Sequence, residues 1–175
     1  MRWTAALVPA VGALVLATTA AAGPEKVSYP EGYEDKFIEY MRVDRPDRKI
    51  VRFMYVNPAA HEAAQPGEPL PYGTVLVMED HKARLGADEE AATDAEGRLV
   101  PTDEVTNVFV MEKQPGWGAE YPPSKRNGEW EYARFLADGS RPPDAEFDGC
   151  FGCHMNRAER DYTFTFAKYV LDTKP

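Results

Sequence analysis

The stretch Ile50-Val51-Arg52-Phe53-Met54-Tyr55-Val56-Asn57 is rich in β-branched and aromatic residues and reads as a strand. Its alternation puts Arg52, Met54 and Val56 on one face and Val51, Phe53 and Tyr55 on the other. Pro58 opens a short helix with Asn57 as its cap, and Pro66-Gly67-Glu68-Pro69 stops it. Downstream, residues 74–79, 105–113 and 130–136 read as three more strands. In the last, Trp130, Tyr132 and Arg134 face one way, while Glu131, Ala133 and Phe135 face the other. Upstream, the spacing of Phe37, Ile38, Tyr40 and Met41 predicts a short helix over 33–43. Residues 44–48 then form a charged turn with solvated side chains. Residues 80–97 are acidic and small, which predicts an exposed excursion with a short helix around 89–92. No strand–helix alternation with a glycine-rich phosphate loop is present. The expectation is an α+β fold, mainly an antiparallel β-sheet with short flanking helices.

The N-terminus carries Arg2 followed by an uncharged, apolar or small run over residues 5–22. This predicts a secretory signal peptide over 1–22, a mature domain over 23–175, and a periplasmic or otherwise exported protein. A retained membrane anchor is the alternative, for a segment rich in Ala and Thr rather than Leu. The formal net charge is -9 with no basic stripe, which argues against a nucleic-acid partner.

The only two cysteines lie in Cys150-Phe151-Gly152-Cys153-His154. Two thiols three apart can each add across a haem vinyl group, and the adjacent imidazole can then reach the iron, so the pentad reads as a C-terminal covalent haem c motif. A redox disulfide or half of a zinc site are the competing readings. Export and the pentad support one another, because haem c is attached outside the cytoplasm. His154 is then the proximal metal ligand. His61 is the candidate on the opposite face of the iron, as ligand or hydrogen-bond donor, with a surface helix histidine as its plain alternative; His81 is a weaker candidate. Arg52 and Arg134 are candidates for the haem propionates, since a guanidinium matches carboxylate geometry; each is equally a solvated strand arginine. Phe53, Phe109, Phe164 and Phe166 can build an apolar cap over a bound ligand, or simply pack. Met54, Met78 and Met111 read as strand core. Glu79, Glu112 and Glu131 are carboxylates that a proton relay could use, and nothing in the sequence separates them.

These residues also fall in a pattern. Tyr55-Val56-Asn57-Pro58, Gly73-Thr74-Val75, the Trp130 strand, the pentad, and Asp161-Tyr162-Thr163-Phe164-Thr165 follow one another in order. The chain thereby resembles the cytochrome P-460 family, which includes the cytochromes c′-beta. The resemblance implies a mostly antiparallel sheet, one haem c with the motif histidine as proximal ligand, an open or weakly occupied distal face, and frequent homodimers. One branch oxidises hydroxylamine and cross-links its haem to a lysine. The other lacks the cross-link, has an apolar distal pocket and binds nitric oxide. The lysine of the first branch lies between the Tyr-Val-Asp-Pro segment and the Gly-Thr strand. Here that interval, residues 59–72, contains none and reads Ala64-Gln65-Pro66 at the matching place.

The sequence therefore predicts an exported monohaem c-type cytochrome binding a small diatomic or nitrogenous ligand such as nitric oxide. The alternatives are an oxidoreductase acting on hydroxylamine or a related compound, and a periplasmic electron carrier with a redox protein partner.

Overall fold

The computed structural model describes residues 23–175, so the expected signal peptide lies outside the described residues. Strands β1 (Ile38–Arg45), β2 (Ile50–Val56), β3 (Val75–Ala83), β4 (Pro101–Lys113) and β5 (Trp130–Phe135) form one antiparallel sheet in chain order. Helices α1 (Tyr33–Lys36), α2 (Pro58–Ala63), α3 (Asp148–Met155) and α4 (Phe166–Thr173) flank it. The fold is α+β, with one strand more than the sequence predicts.

That strand is β1, which corrects the helix expected over 33–43; only Tyr33–Lys36 is helical. Ile38 pairs with Val56 and Met41 with Met54, so a bulge at Tyr40 inserts one residue. The insertion shifts the side-chain alternation by one. Apolar residues at 37, 38, 40 and 41 then imitate helical spacing although the last three lie on a strand.

Register fixes two faces. Val56, Leu76, Met111 and Tyr132 form one cross-strand row, and Met54, Met78, Phe109 and Arg134 form the next row on the same face. On the first row α2, α3 and α4 lay Ala60, Phe151, Phe166 and Val170. The opposite face carries Tyr55, Val77, Val110 and Ala133, covered by Val27 and Tyr33 of the N-terminal segment. Asn57 occupies the cap position of α2, yet its side chain bonds Gly73 O (3.0 Å) and Val75 N (2.9 Å), joining β2 to β3. The far end of α2 is capped by the Lys174 ammonium, which donates to the carbonyls of His61, Glu62 and Ala64, where the helix dipole favours a cation.

Strand β3 runs to Ala83, beyond the expected end at Glu79. The excursion after it contains no helix near 89–92. Glu89 has φ 63°, and the segment closes on itself through the bridges Leu85–Ala91 and Thr93–Leu99. It also buries more than expected, since Leu99 packs on Val51 and Ala83. Asp44 is not merely solvated. Its carboxylate accepts from Arg98 Nε (2.6 Å) and Leu99 N–H (3.1 Å), and the Arg98 hydrogen bond above all holds it below the usual carboxylate range. The excursion thus sits at the Ile50 end of β2, about 20 Å along the strand from the Val56 end that receives α3.

Candidate functional site

Helix α3 carries the whole pentad. Cys153 and His154 follow Cys150 by three and four residues, a spacing that gathers both thiols and the imidazole on one side of a helix. Phe151 anchors the helix: it is 5% exposed, packed on the rings of Tyr121 (4.8 Å) and Tyr132 (4.9 Å). The buried Asn127 amide fixes this docking by donating to the Tyr132 hydroxyl (2.8 Å) and to Phe151 O (3.1 Å).

Among the described residues, His154 hydrogen-bonds through one ring nitrogen. Its Nδ1–H donates to the Tyr162 carbonyl at 2.6 Å, which can only accept. Its ring rests against Tyr132 (5.0 Å) and, edge-on, against Phe164 (4.9 Å). Burial lowers the pKa of His154, while the Tyr162 carbonyl pulls the other way. A neutral ring with its proton on Nδ1 leaves the Nε2 lone pair available, the arrangement that suits a metal-ligating histidine. Both cysteines are free; Cys153 is exposed, and burial, then Cys153, raises the Cys150 thiol pKa. Among the described residues no three His, Cys, Asp or Glu side chains converge as a metal site.

Beside Tyr132 the sheet is left partly open. Met78, Phe109 and Arg134 are only half-buried and lie outside the three buried clusters. Arg134 donates to Asn107 Oδ1 (2.7 Å) and stacks over Phe109, and no carboxylate pairs with it among the described residues. Arg52 shares this face but is engaged, with two hydrogen bonds to the buried Asp80 (2.7 and 2.9 Å).

Other sequence candidates lie elsewhere. His61 stands on α2 with Nε2 3.1 Å from the Tyr169 hydroxyl, and its ring contacts run to Phe166 and Tyr169 rather than to the pentad. Phe53 faces away from Phe109 and packs on His81, so it cannot join a cap on the His154 side. Phe164 remains against His154, whereas Phe166 is fully buried in the core. Glu79, Glu112 and Glu131 all point to the opposite face, where Glu79 is bonded to Tyr33 and His81, and Glu131 to Tyr121. Two cavities of about 310 and 590 Å³ open beside Asp161 and beside Lys82, and the pentad lines neither. Asn127 and the Tyr162 carbonyl escaped the sequence reading: an asparagine in a loop carries no signal, and a carbonyl belongs to every residue.

A family model described as Cytochrome P460 matches residues 30–165, from the N-terminal segment through the sheet and α3 to Thr165. A search of curated proteins gave no match. Since the matched span takes in most of the chain, including all five strands and the helix that presents His154, the protein belongs to the cytochrome P460 family.

Proposed function

We propose that this protein is an exported monohaem c-type cytochrome that binds a small ligand such as nitric oxide. The family implies a haem. The chemistry of the donor set fits one covalent haem c: two free thiols and an imidazole on one helix. The observation that carries the reading is the hydrogen bond from His154 Nδ1 to Tyr162 O, which leaves Nε2 as the free donor atom on that helix face. Cys150 and Cys153 would hold the porphyrin through thioethers, and His154 Nε2 would take the iron. Once bound, the haem would supply an iron able to take up a small ligand. Tyr132 and Phe164 keep the imidazole from rotating, and Phe109 and Met78 offer apolar surface. Arg134, lacking a carboxylate partner, is the better match for a propionate; Arg52 would first have to leave Asp80.

Binding is favoured over hydroxylamine oxidation by two observations. Residues 59–72 contain no lysine, and the neighbours in sequence are occupied: Lys49 donates to Glu89 O and Lys82 pairs with Glu104. The three carboxylates that might relay protons face away from His154. For His61 to serve the iron, its bond to Tyr169 has to open. Export follows from residues 5–22, and a processed N-terminus near Gly23 in secreted protein would bear it out. A homodimer belongs to the same reading by family resemblance, and a redox protein partner belongs to the electron-carrier alternative.

Optical spectra of the reduced protein test the function. A high-spin spectrum that shifts on adding nitric oxide is expected. A low-spin spectrum indifferent to nitric oxide would point to an electron carrier with both axial positions filled, and turnover of hydroxylamine with an added acceptor would point to the oxidoreductase.

A further inference from the structure

The Tyr162 carbonyl that fixes His154 belongs to a constrained loop. Asp161 and Tyr162 have φ 50° and 60°, two successive non-glycine residues in the left-handed region. Such backbone persists only where its surroundings enforce it. On one side, the Tyr162 ring lies so close over Gly128 that a Cβ there would meet it at 3.0 Å. On the other, Asp161 is clamped: its Oδ2 accepts from Lys113 Nζ (2.7 Å) and from Leu70 N–H (2.9 Å). Lys113 ends β4, is 6% exposed, and also donates to Leu70 O (2.8 Å) beneath the rings of Trp130 and Tyr72. A lysine is rarely buried unless paired, and this one spends its ammonium on the residue preceding Tyr162.

We propose that Lys113 is a positioning residue for the proximal imidazole: its ion pair with Asp161 holds the 161–162 backbone so that the Tyr162 carbonyl stays on His154 Nδ1. The inference rests on the haem reading above. A carbonyl held on Nδ1–H makes the imidazole a stronger donor to iron, which favours the ferric state. Loss of Lys113 leaves the Asp161 carboxylate without its cation, relaxes the loop and weakens that donor.

The test uses haem-loaded Lys113→Met and Asp161→Asn, the latter keeping an acceptor for Leu70 N–H in a residue that tolerates positive φ. Lys125→Met, which breaks the exposed pair with Asp148 on α3, is the control. Both test variants are expected to keep the parent's covalent haem mass, to lower the ferrous iron–imidazole stretching frequency, and to shift the one-electron equilibrium toward ferrous iron by about tenfold. The control should match the parent. If Lys113→Met fails to fold, Asp161→Asn alone decides. A parent and variants that retain haem but share one potential and one stretching frequency would overturn the positioning role. Absence of covalent haem from the parent would instead overturn the haem reading, a separate result.

Discussion

The two faces of the sheet treat a histidine in opposite ways. On the face closed by the N-terminal segment, His81 sits between two acceptors, with Nδ1 2.8 Å from Thr102 O and Nε2 on the Glu79 carboxylate. Both nitrogens need a proton, and the Glu79 hydrogen bond chiefly raises the His81 pKa. Burial alone would raise the Glu79 carboxyl, but hydrogen bonds from His81 and Tyr33 outweigh it and hold it low. On the other face, burial lowers the pKa of His154, and among the described residues its ring hydrogen-bonds through Nδ1 alone. One face pairs its histidine internally, although Glu131 Oε1 on that face is buried with no hydrogen-bond partner among the described residues. The other keeps an imidazole lone pair unused beside half-exposed Phe109 and Met78, with Phe164 40% exposed. The half-exposed row beside His154 is where the haem proposed above would sit.

The largest expected effect separates the faces by packing. Phe135 is 2% exposed on the sealed face, and Phe135→Ala should cost about 4 kcal/mol in denaturant unfolding. Phe109→Ala, on the open face, should cost about 1 kcal/mol in haem-free protein, because less surface is lost from a packed environment. Equal costs would mean that the open face is as closed as its partner.

Next is His81→Leu, which strands the buried Glu79 carboxylate and should cost about 3 kcal/mol near pH 6. The pH dependence has a definite sign. Because the folded pKa of His81 is raised, its contribution is complete below the unfolded value of about 6.5 and is lost as pH rises through the raised value. Glu79, with a lowered pKa, contributes above about 4.5 and loses that as pH falls through its folded value. His154 runs opposite to His81: its lowered pKa gives stability above about 6.5 that is lost as pH falls through its folded value. In haem-free protein, His81→Leu should therefore flatten the alkaline loss and leave the contribution of His154 in place. An unaltered alkaline limb would show that the Glu79–His81 pair is not its source.

Asn127→Ala should cost about 1.5 kcal/mol and raise amide exchange in α3 before the sheet, because one amide ties Phe151 O to Tyr132. Uniform exchange loss across the molecule would contradict that local role. Smallest in stability is Arg134→Gln, within about 0.5 kcal/mol in haem-free protein. If Arg134 serves a propionate, the same change should shift the potential of the haem-loaded form, and an unchanged potential would return Arg134 to the ordinary strand arginines.

The strand pattern was legible wherever alternation was undisturbed. Residues 50–56 and 130–135 follow the period-two reading, because each buries side chains on both faces in register. Tyr40 defeated it, since a bulge is set by pairing with β2 and has no composition of its own. The pentad was legible because thiol and imidazole chemistry depends on spacing along one helix. What orients it was not. Lys113 and Asp161 are 48 residues apart, and only the end of β4 brings that ammonium beneath the loop. Likewise Phe53 and Phe109 read alike as apolar strand residues, and only cross-strand register puts them on opposite sides.

The central claim is that a porphyrin joined to Cys150 and Cys153 completes the open face. Its most direct test is the intact mass of denatured protein matured in cells able to attach haem c. The parent is expected to carry the added mass of one haem, and Cys150→Ser/Cys153→Ser none. A parent polypeptide of bare chain mass from such cells would contradict it.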